Sequence, residues 1–365
     1  MKCLFIIQGE GRGHLTQAMT LEKALVARGH EVVGMLVGRS SSRTLPSFFL
    51  KGVNADVTCF DSVNFITAAG DRKPDVLKTV LFNIAASPRF YSSLSLIRSM
   101  IRKSGADLIV NFYELLGTVA YEFSGRGIPM VCIGHQFLFL HGEMHFPESG
   151  YEGHLALNLF SRAIATGASS LLALSFRPMP DDPEGRISVV PPLLRQEVLD
   201  TRRPDGVRDG DYILGYMLNS GFADEVIAWH NANPSVPLHF FWDNAVEAPV
   251  KKVDETMSLY YLDDKEFVRQ MAGCRAYAST AGFESICEAM YFGKPLMMVP
   301  SHIEQKCNAY DATRSGAAVE AASFDLGILL DFAKNGFIRD EGFPAWAQSA
   351  ADIIVTELER AAGRR

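Results

Sequence analysis

The run of residues 279–309, STAGFESICEAMYFGKPLMMVPSHIEQKCNA, contains the densest set of residues in this chain that could bind a polar ligand. A turn of small residues precedes a predicted helix from Phe283 to about Phe292, which Gly293 and Pro295 end. The first turn of a helix presents free backbone N–H groups and the positive end of a dipole, which suit a phosphate. Glu288 lies further along this helix, where its carboxylate could accept hydrogen bonds from sugar hydroxyl groups.

A short apolar strand, predicted at Leu296 to Val299, follows this helix and has a polar exit that contains Glu304 and Gln305. The run therefore predicts a sugar-nucleotide site, with diphosphate at the helix start, ribose at Glu288 and the transferred sugar at Glu304 and Gln305. An ordinary helix-to-strand unit is the alternative, but it gives no reason for a Glu-Gln pair at the strand exit. The donor-binding residues that we expect on this run are Ser279, Ala281, Gly282, Phe283, Glu284, Ser285, Glu288, Glu304 and Gln305.

A second candidate site is the glycine-rich turn GEGRGH at residues 9–14, which follows the first predicted strand. A turn of this kind between a strand and a helix can also bind a dinucleotide. That fingerprint requires a third glycine where Leu15 or Thr16 stands, and an acidic residue after the second strand, which here runs into Gly38 and Arg39. NAD and FAD are therefore disfavoured, and we expect no cofactor.

The long run also carries a resemblance to a known family. Its pattern is similar to the donor-site signature of GT-B glycosyltransferases, such as the UDP-glycosyltransferases and the bacterial MurG-type GlcNAc transferases. Ala281 departs from the pattern, because many relatives have glycine there, but its backbone N–H group remains available. The matching positions are Gly282, Glu288, Ala289, Gly293, Pro295, Pro300, Gln305, Asn308 and Ala309.

The resemblance implies an α/β fold of two Rossmann-like, doubly wound domains that face a central cleft. It implies a metal-independent, inverting transfer of a sugar from a nucleotide-diphosphate sugar, most simply a UDP-sugar, to an acceptor hydroxyl. The acceptor could be a glycan, a lipid-linked molecule or a small molecule. Two other functions remain open on the same fold: a nucleotide-sugar hydrolase or epimerase, and a non-catalytic protein that binds sugar nucleotides.

The resemblance assigns the first turn to the acceptor side, with Gly11, Arg12 and Gly13 close to the acceptor and His14 as the general base. Histidine suits this task because its unperturbed pKa, about 6.5, lies near the working pH. The alternative is that His14 only makes local hydrogen bonds at the start of its helix.

A histidine base normally needs a group that orients it, and relatives often have an aspartate at the end of the fourth strand. Here Asn111 stands at that position, and Glu114 is the nearest carboxylate. Three arrangements are open: Glu114 orients His14, Asn111 orients it without charge, or His14 is not the base.

The loop after the predicted strand Met130 to Ile133 is rich in phenylalanine, leucine and histidine. Its polar residues could suggest a metal site, but the resemblance places this loop on the acceptor side. We therefore expect His135 and Gln136 to contact the acceptor, and we predict no metal site. The polar residues in question are His135, His141, Glu143 and His145. The Asp209-Gly210-Asp211 segment superficially resembles a metal-binding pair, but its place before a strand indicates a solvated turn.

The resemblance adds donor positions outside the long run. Asn219 and Ser220, after the first strand of the second domain, would hold the diphosphate, and Leu262 would hold the base through its backbone. Separately, the apolar segment LPSFFLK at residues 45–51 either contacts a membrane, as in relatives with lipid acceptors, or begins a buried helix.

The elements that must position these residues alternate between short apolar strands and amphipathic helices, which predicts parallel sheets with helices on both faces. A chain of 365 residues favours two domains. We predict a first domain at residues 1–194, a linker at 195–211, a second domain at 212–342, and a final helical segment at 343–365. The resemblance implies that this final segment packs across the domain junction. The predicted strands are residues 3–7, 31–37, 57–60, 108–112, 130–133, 171–174, 187–190, 212–217, 238–242, 257–261, 276–279 and 296–299.

Composition narrows the function further. The net charge of −7 disfavours nucleic acid as a partner. Six scattered cysteines without a Cys-x-x-Cys pair indicate a reduced, cytoplasmic protein. We expect neither a signal peptide nor a membrane-spanning helix, and peripheral contact with the inner face of a membrane stays open.

Overall fold

The structure is a computed structural model, and it describes residues 1–40, 44–62, 87–124, 127–201, 210–217, 220–242, 250–261 and 263–363. The predicted donor residues Asn219 and Leu262 lie outside the described residues, and so does Asp209. The chain divides into two compact units, which are Met1–Arg195 with Gln348–Arg365, and Gln196–Ala347.

The first unit contains a parallel sheet of seven strands among the described residues, in the order β3-β2-β1-β4-β5-β6-β7. Its central strands are buried on both faces, as parallel strands covered by helices must be. In β4, for example, all five residues, LIVNF, are buried. The strands are β1 (Lys2–Gln8), β2 (Glu31–Arg39), β3 (Val57–Asp61), β4 (Leu108–Phe112), β5 (Met130–Gly134), β6 (Ser170–Leu174) and β7 (Ile187–Val190).

The second unit repeats this architecture, with the described strands in the order β10-β11-β9-β8-β12-β13-β14. All its neighbouring strands are parallel except β10, which pairs antiparallel with β11 at one edge. The strands are β8 (Ile213–Met217), β9 (Leu238–Trp242), β10 (Val250–Lys252), β11 (Met257–Tyr261), β12 (Ala276–Ser279), β13 (Leu296–Met298) and β14 (Ala318–Glu320). The two predicted α/β series are thereby confirmed, although the edge strands β10 and β14 were not predicted.

Helices cover the two sheets. The first helix shows why: its apolar residues at helical spacing, Leu15, Ala18, Leu21 and Leu25, are all fully buried. The described helices are α1 (Arg12–Ala27), α2 (Ser47–Gly52), α3 (Ser87–Lys103), α4 (Leu115–Glu122), α5 (His154–Ile164), α6 (Gln196–Asp200), α7 (Ala223–Ala232), α8 (Asp264–Gly273), α9 (Phe283–Tyr291), α10 (Ile303–Thr313), α11 (Leu326–Asn335), α12 (Phe343–Gln348) and α13 (Ala350–Ala362). Among the described residues, none of the helices is long and apolar enough to cross a bilayer.

The final helix α13 belongs to the first unit although it ends the chain. It packs on α1 and on strands β4, β5 and β7. Two polar contacts fix its register: Arg28 donates to Asp352 at 2.8 Å, and His30 Nε2 lies 2.8 Å from an oxygen of Glu359. In the apolar segment 45–51, Phe49 of α2 is fully buried whereas Leu50 is 52% exposed.

In each sheet the strand order reverses direction at one place. In the first unit the chain proceeds outward from β1 to β2 and β3, and then returns to start again at β4 on the other side of β1. In the second unit the same reversal separates β8 from β12. The first turns after these strands diverge, which opens a crevice at the carboxyl ends of the strands.

The chain passes very close to itself where β1 ends. The backbone N–H of Gly9 donates to the carbonyl oxygen of Gly38 at 2.7 Å. A Cβ atom on Gly9 would lie 2.7 Å from that oxygen and 2.6 Å from Val37 Cγ1. Only glycine fits this approach without movement of β2.

We predict that Gly9→Ala lowers the free energy of unfolding by about 1–3 kcal/mol, because the added methyl group overpacks the end of β2. Gly34→Ala is the matched control, since its methyl group would meet only ordinary contacts at 3.6 Å from Leu4 and 3.9 Å from Asp56. Differential scanning calorimetry of both variants should show a lower Tm for Gly9→Ala alone. Equal Tm values would contradict the close approach.

Candidate functional site

The predicted site residues fall into two groups, one at each point of strand reversal. In the first unit, His14 follows β1, and Asn111 and Glu114 lie at the end of β4. In the second unit, the turn that contains Gly282 follows β12, next to the end of β8. Each group therefore lies where an open α/β sheet normally binds its ligand.

The glycine-rich turn of the first unit leads directly into α1. Gly11 precedes the first helical residue and is exposed, and a Cβ atom added to it would meet no atom within 4 Å. Arg12 lies with its guanidinium 4.4 Å from the ring centre of Phe48, a cation–π contact with α2. The turn thus offers backbone surface to a ligand, with Arg12 held to one side.

His14 is the third residue of α1 and is half-buried. Its Nδ1 atom lies 3.3 Å from Oε1 of Gln17, one helical turn further on. Its ring stacks on Tyr113, with ring centres 5.8 Å apart and planes 22° from parallel.

Asn111 is completely buried at the end of β4. Its Nδ2 donates at 3.0 Å both to the carbonyl oxygen of Glu114 and to Oγ1 of Thr118, and its Oδ1 accepts from the N–H of Glu114 at 2.8 Å. These bonds close the turn between β4 and α4. They also hold Tyr113 at φ 59°, a left-handed conformation that costs a non-glycine residue roughly 1–2 kcal/mol.

Glu114 caps α4, and its carboxylate points towards β2 and β3. Oε1 accepts from Oγ of Ser62 at 2.6 Å and from the N–H of Leu116 at 3.0 Å. The carboxylate lies where a side chain on Gly38 would have to go. Burial raises the pKa of Glu114 to about 7, with a further contribution from the negative charge of Glu10, while the hydrogen bonds from Ser62 and Leu116 oppose the shift.

Neither Asn111 nor Glu114 hydrogen bonds with His14 in the described part of the chain. The physical reason is that each side chain is already used to close the turn or to cap α4. Of the three arrangements left open by the sequence, those in which Asn111 or Glu114 contacts the imidazole directly are not present in this structure.

The histidines of the predicted acceptor loop do not converge. His135 is buried and donates from Nδ1 to the carbonyl oxygen of Leu174 at 2.7 Å, between the rings of Phe139 and Phe176. Gln136 beside it is also buried. His141 and His145 bond to two other carbonyl groups, those of Pro180 and Glu143. Across the described ranges there is no group of three His, Cys, Asp or Glu residues that could hold a metal ion.

The donor turn of the second unit contains a strained residue. Ala281 has φ 63°, where relatives were expected to have glycine. Its N–H lies 3.3 Å from Oγ of Ser279, and its carbonyl oxygen accepts from Nδ2 of the buried Asn308 at 3.0 Å. These contacts fix the direction in which α9 begins.

Helix α9 begins at Phe283, and its N-cap residue Gly282 is exposed. A Cβ atom on Gly282 would meet only Oγ of Ser285, at 3.9 Å. Glycine has no side chain that could cap the first turn, and no side chain makes a capping hydrogen bond at Gly282, so the positive end of the helix dipole faces the exposed turn, where it suits an anion. Ser279 and Phe283 are buried, and Glu284 and Ser285 are partly exposed.

Two of the residues predicted to contact the donor, Glu288 and Gln305, are buried deeper than the turn. Glu288 on α9 is only 2% exposed. Gln305 is also buried, and its Oε1 accepts from the N–H and Oγ of Ser301 at 2.9 and 2.8 Å. That arrangement leaves the amide nitrogen of Gln305 to donate to a ligand. Glu304 is partly exposed in the first turn of α10. Ser220 lies in a short 3-10 turn after β8.

Sequence reasoning did not single out Gln17, Tyr113 or Ser62. The spacing of Gln17 three residues after His14 on one helix is a signal that could have identified it. Tyr113 and Ser62 reach the site only because β4 and β3 have their particular places in the sheet, and no local pattern reports that order.

Comparisons with known proteins agree with this fold. Residues 1–335 match the family described as Glycosyl transferase family 1. No curated protein matches the chain. Among solved structures, the calicheamicin glycosyltransferase CalG4 is 16% identical, with a TM-score of 0.64 over 99% of this chain and 98% of that one.

Two further solved structures are also similar to this chain. UGT71G1 of Medicago truncatula, complexed with UDP-glucose, is 14% identical with a TM-score of 0.65, over 99% of this chain and 98% of that one. MurG of Acinetobacter baumannii is 15% identical with a TM-score of 0.57, over 99% and 100%. These likenesses confirm the predicted GT-B fold of two Rossmann-like domains. Because the family match covers most of the chain, the resemblance predicted from the donor run is confirmed: the chain belongs to glycosyl transferase family 1.

Proposed function

We propose that this glycosyltransferase transfers a sugar from a UDP-sugar to an acceptor hydroxyl, with inversion at the anomeric carbon and without a metal ion. The observation that carries the donor assignment is the uncapped start of α9 behind the exposed Gly282, at the point of strand reversal of the second unit. This helix start presents the positive end of its dipole to a diphosphate.

The donor is held in three parts. The diphosphate binds the first turn of α9, with Ser220 as a second contact. The ribose binds Glu288, and the transferred sugar binds Glu304 and Gln305. The choice of UDP is supported by the UDP-glucose complex of UGT71G1, a protein of the same fold. Six free cysteines fit a reducing compartment such as the cytoplasm.

The reaction is a single displacement. The acceptor oxygen attacks the anomeric carbon from the side opposite the diphosphate, and its proton passes to the imidazole of His14. The bond between that carbon and the diphosphate oxygen breaks, and UDP leaves with the bonding electrons. The positive dipole end of α9, which is fixed before the donor binds, stabilises the developing charge of the diphosphate without reorganisation.

The overall test is a thermal-shift screen with UDP-, dTDP- and GDP-sugars, followed by turnover of the stabilising donor with an acceptor pool in the presence of EDTA. A ligand at a hundredfold excess over its Kd stabilises the native state by about 2.7 kcal/mol. We expect a UDP-sugar to raise Tm and NMR of the product to show the inverted anomer. Hydrolysis without an acceptor, a retained anomer, or loss of turnover in EDTA would each contradict part of the proposal.

We predict that His14→Ala lowers kcat by about 10²- to 10⁴-fold, the usual effect of removing a general base. Donor affinity should stay at the wild-type value, because the donor residues belong to the second unit. His154→Ala is the control, since its partly exposed ring bonds to the carbonyl oxygen of Tyr151 at the start of α5. Wild-type turnover by His14→Ala would place the base elsewhere.

We predict that Glu288→Gln raises KM for the donor by about 10- to 100-fold with kcat nearly unchanged. The ribose contact is made in the ground state and the transition state alike, and a hydrogen bond to a charged group contributes about 1.5–3 kcal/mol. Glu255→Gln, whose side chain is 96% exposed, is the control. An unchanged KM with a collapsed kcat would show that Glu288 takes part in the chemistry instead.

A further inference from the structure

We propose that two neutral side chains, Gln17 and Tyr113, hold His14 in its working orientation, in the place where a carboxylate would usually do so. Gln17 sets which ring nitrogen carries the proton, and Tyr113 sets the plane of the ring. Both are positioning residues that act through His14. The proposal rests on the proposed role of His14 as general base.

The first step concerns the tautomer of His14. Its Nδ1 atom lies 3.3 Å from the amide oxygen of Gln17. An amide oxygen can only accept a hydrogen bond, so Nδ1 carries the proton of the neutral ring. The lone pair of the neutral ring is then on Nε2, the nitrogen that takes the proton of the acceptor hydroxyl in the proposed reaction. Gln17 is 3% exposed and lies on the same helix, so its amide is fixed relative to the ring.

The second step concerns the plane of the ring. Tyr113 stacks on His14 with planes 22° apart. The ring of Tyr113 is itself held by edge contacts with Phe137 and Phe160, at 5.5 and 5.8 Å between centres. Its hydroxyl lies 2.7 Å from Oγ of Ser161. A tyrosine fixed in this way restricts rotation of the imidazole about its χ2 angle.

The third step concerns the nearby carboxyl group of Glu114, which hydrogen bonds to groups other than His14. Glu114 bonds to Ser62 and Leu116. Two charged residues of the glycine-rich turn are also engaged: Glu10 accepts from the N–H of Ser40, and Arg12 packs on Phe48. Glu10, Arg12 and Glu114 stay unchanged in every variant below, so their charges cancel in the comparison.

The Tyr113 arm of the test compares Tyr113→Leu with Tyr113→Phe. We expect Tyr113→Leu to lower kcat by at least tenfold with KM for the donor unchanged, and Tyr113→Phe to restore most of that loss because it keeps the stacked ring. The ring current gives a second readout that does not need activity. The NMR signal of the His14 Hε1 proton should move in Tyr113→Leu and stay close to its wild-type position in Tyr113→Phe.

The Gln17 arm compares Gln17→Glu with Gln17→Leu. A carboxylate beside the imidazole favours its charged form. The acid limb of the kcat–pH profile, and the NMR titration of His14, should therefore move to higher pH by about one unit or more in Gln17→Glu. Gln17→Leu, which removes the acceptor, should lower kcat and let the proton distribute between the two ring nitrogens, which ¹⁵N chemical shifts report directly.

The outcomes separate this proposal from the proposed function. Wild-type turnover by His14→Ala would exclude His14 as the general base. The His14 titration and ring-current shifts in the other variants would still show whether Gln17 and Tyr113 position the imidazole. If the His14 titration stays at the wild-type pH in Gln17→Glu and the His14 signals keep their wild-type positions in Tyr113→Leu, the positioning role of Gln17 and Tyr113 is overturned. Gln17→Glu and Tyr113→Phe are nearly isosteric, so the proposal stays testable if either leucine variant fails to fold.

Discussion

The hydrogen bonds of the buried Asn111 side chain hold together the part of the first unit on which the candidate chemistry depends. One amide donates twice and accepts once within the turn from β4 to α4. A buried amide must satisfy these groups to be tolerated, so the turn has one conformation. That conformation directs Tyr113 to His14 and the carboxylate of Glu114 to Ser62.

This bonding explains why aspartate would not serve at position 111 in this chain. The hydroxyl of Thr118 donates its hydrogen bond to the carbonyl oxygen of Ile164, at 2.6 Å. Towards residue 111 it can therefore only accept. The carbonyl oxygen of Glu114 is likewise an acceptor. An ionised aspartate has no proton to give to either group and would leave two buried acceptors facing a charge. The asparagine at position 111 is thus matched to the two buried acceptors that it faces.

How much of this could be read from the sequence depends on how local each signal is. The donor run is contiguous, so its helix, its stop signals and its strand were all predictable. The long strands were predictable as apolar runs, but β10 and β14 have three residues each and no periodicity to detect. The cluster of Tyr113, Glu114 and Ser62 combines residues that follow two strands, β4 and β3, whose places are decided by sheet order. Gln17 is only three residues from His14 in the sequence, but an amide has no acid–base chemistry of its own and so does not stand out as a site residue.

In both units, a non-glycine residue with a strained backbone lies at the point of strand reversal. Among the described residues, three non-glycine residues have positive φ, and two of them, Tyr113 and Ala281, lie at these points. Each is held by a buried asparagine: Asn111 bonds the residue after Tyr113, and Asn308 bonds Ala281 itself. Strained backbone persists only where its surroundings enforce it, and it concentrates at functional sites. The buried amides therefore do more than satisfy the core, since they fix the position of Tyr113 beside His14 and the direction in which α9 begins.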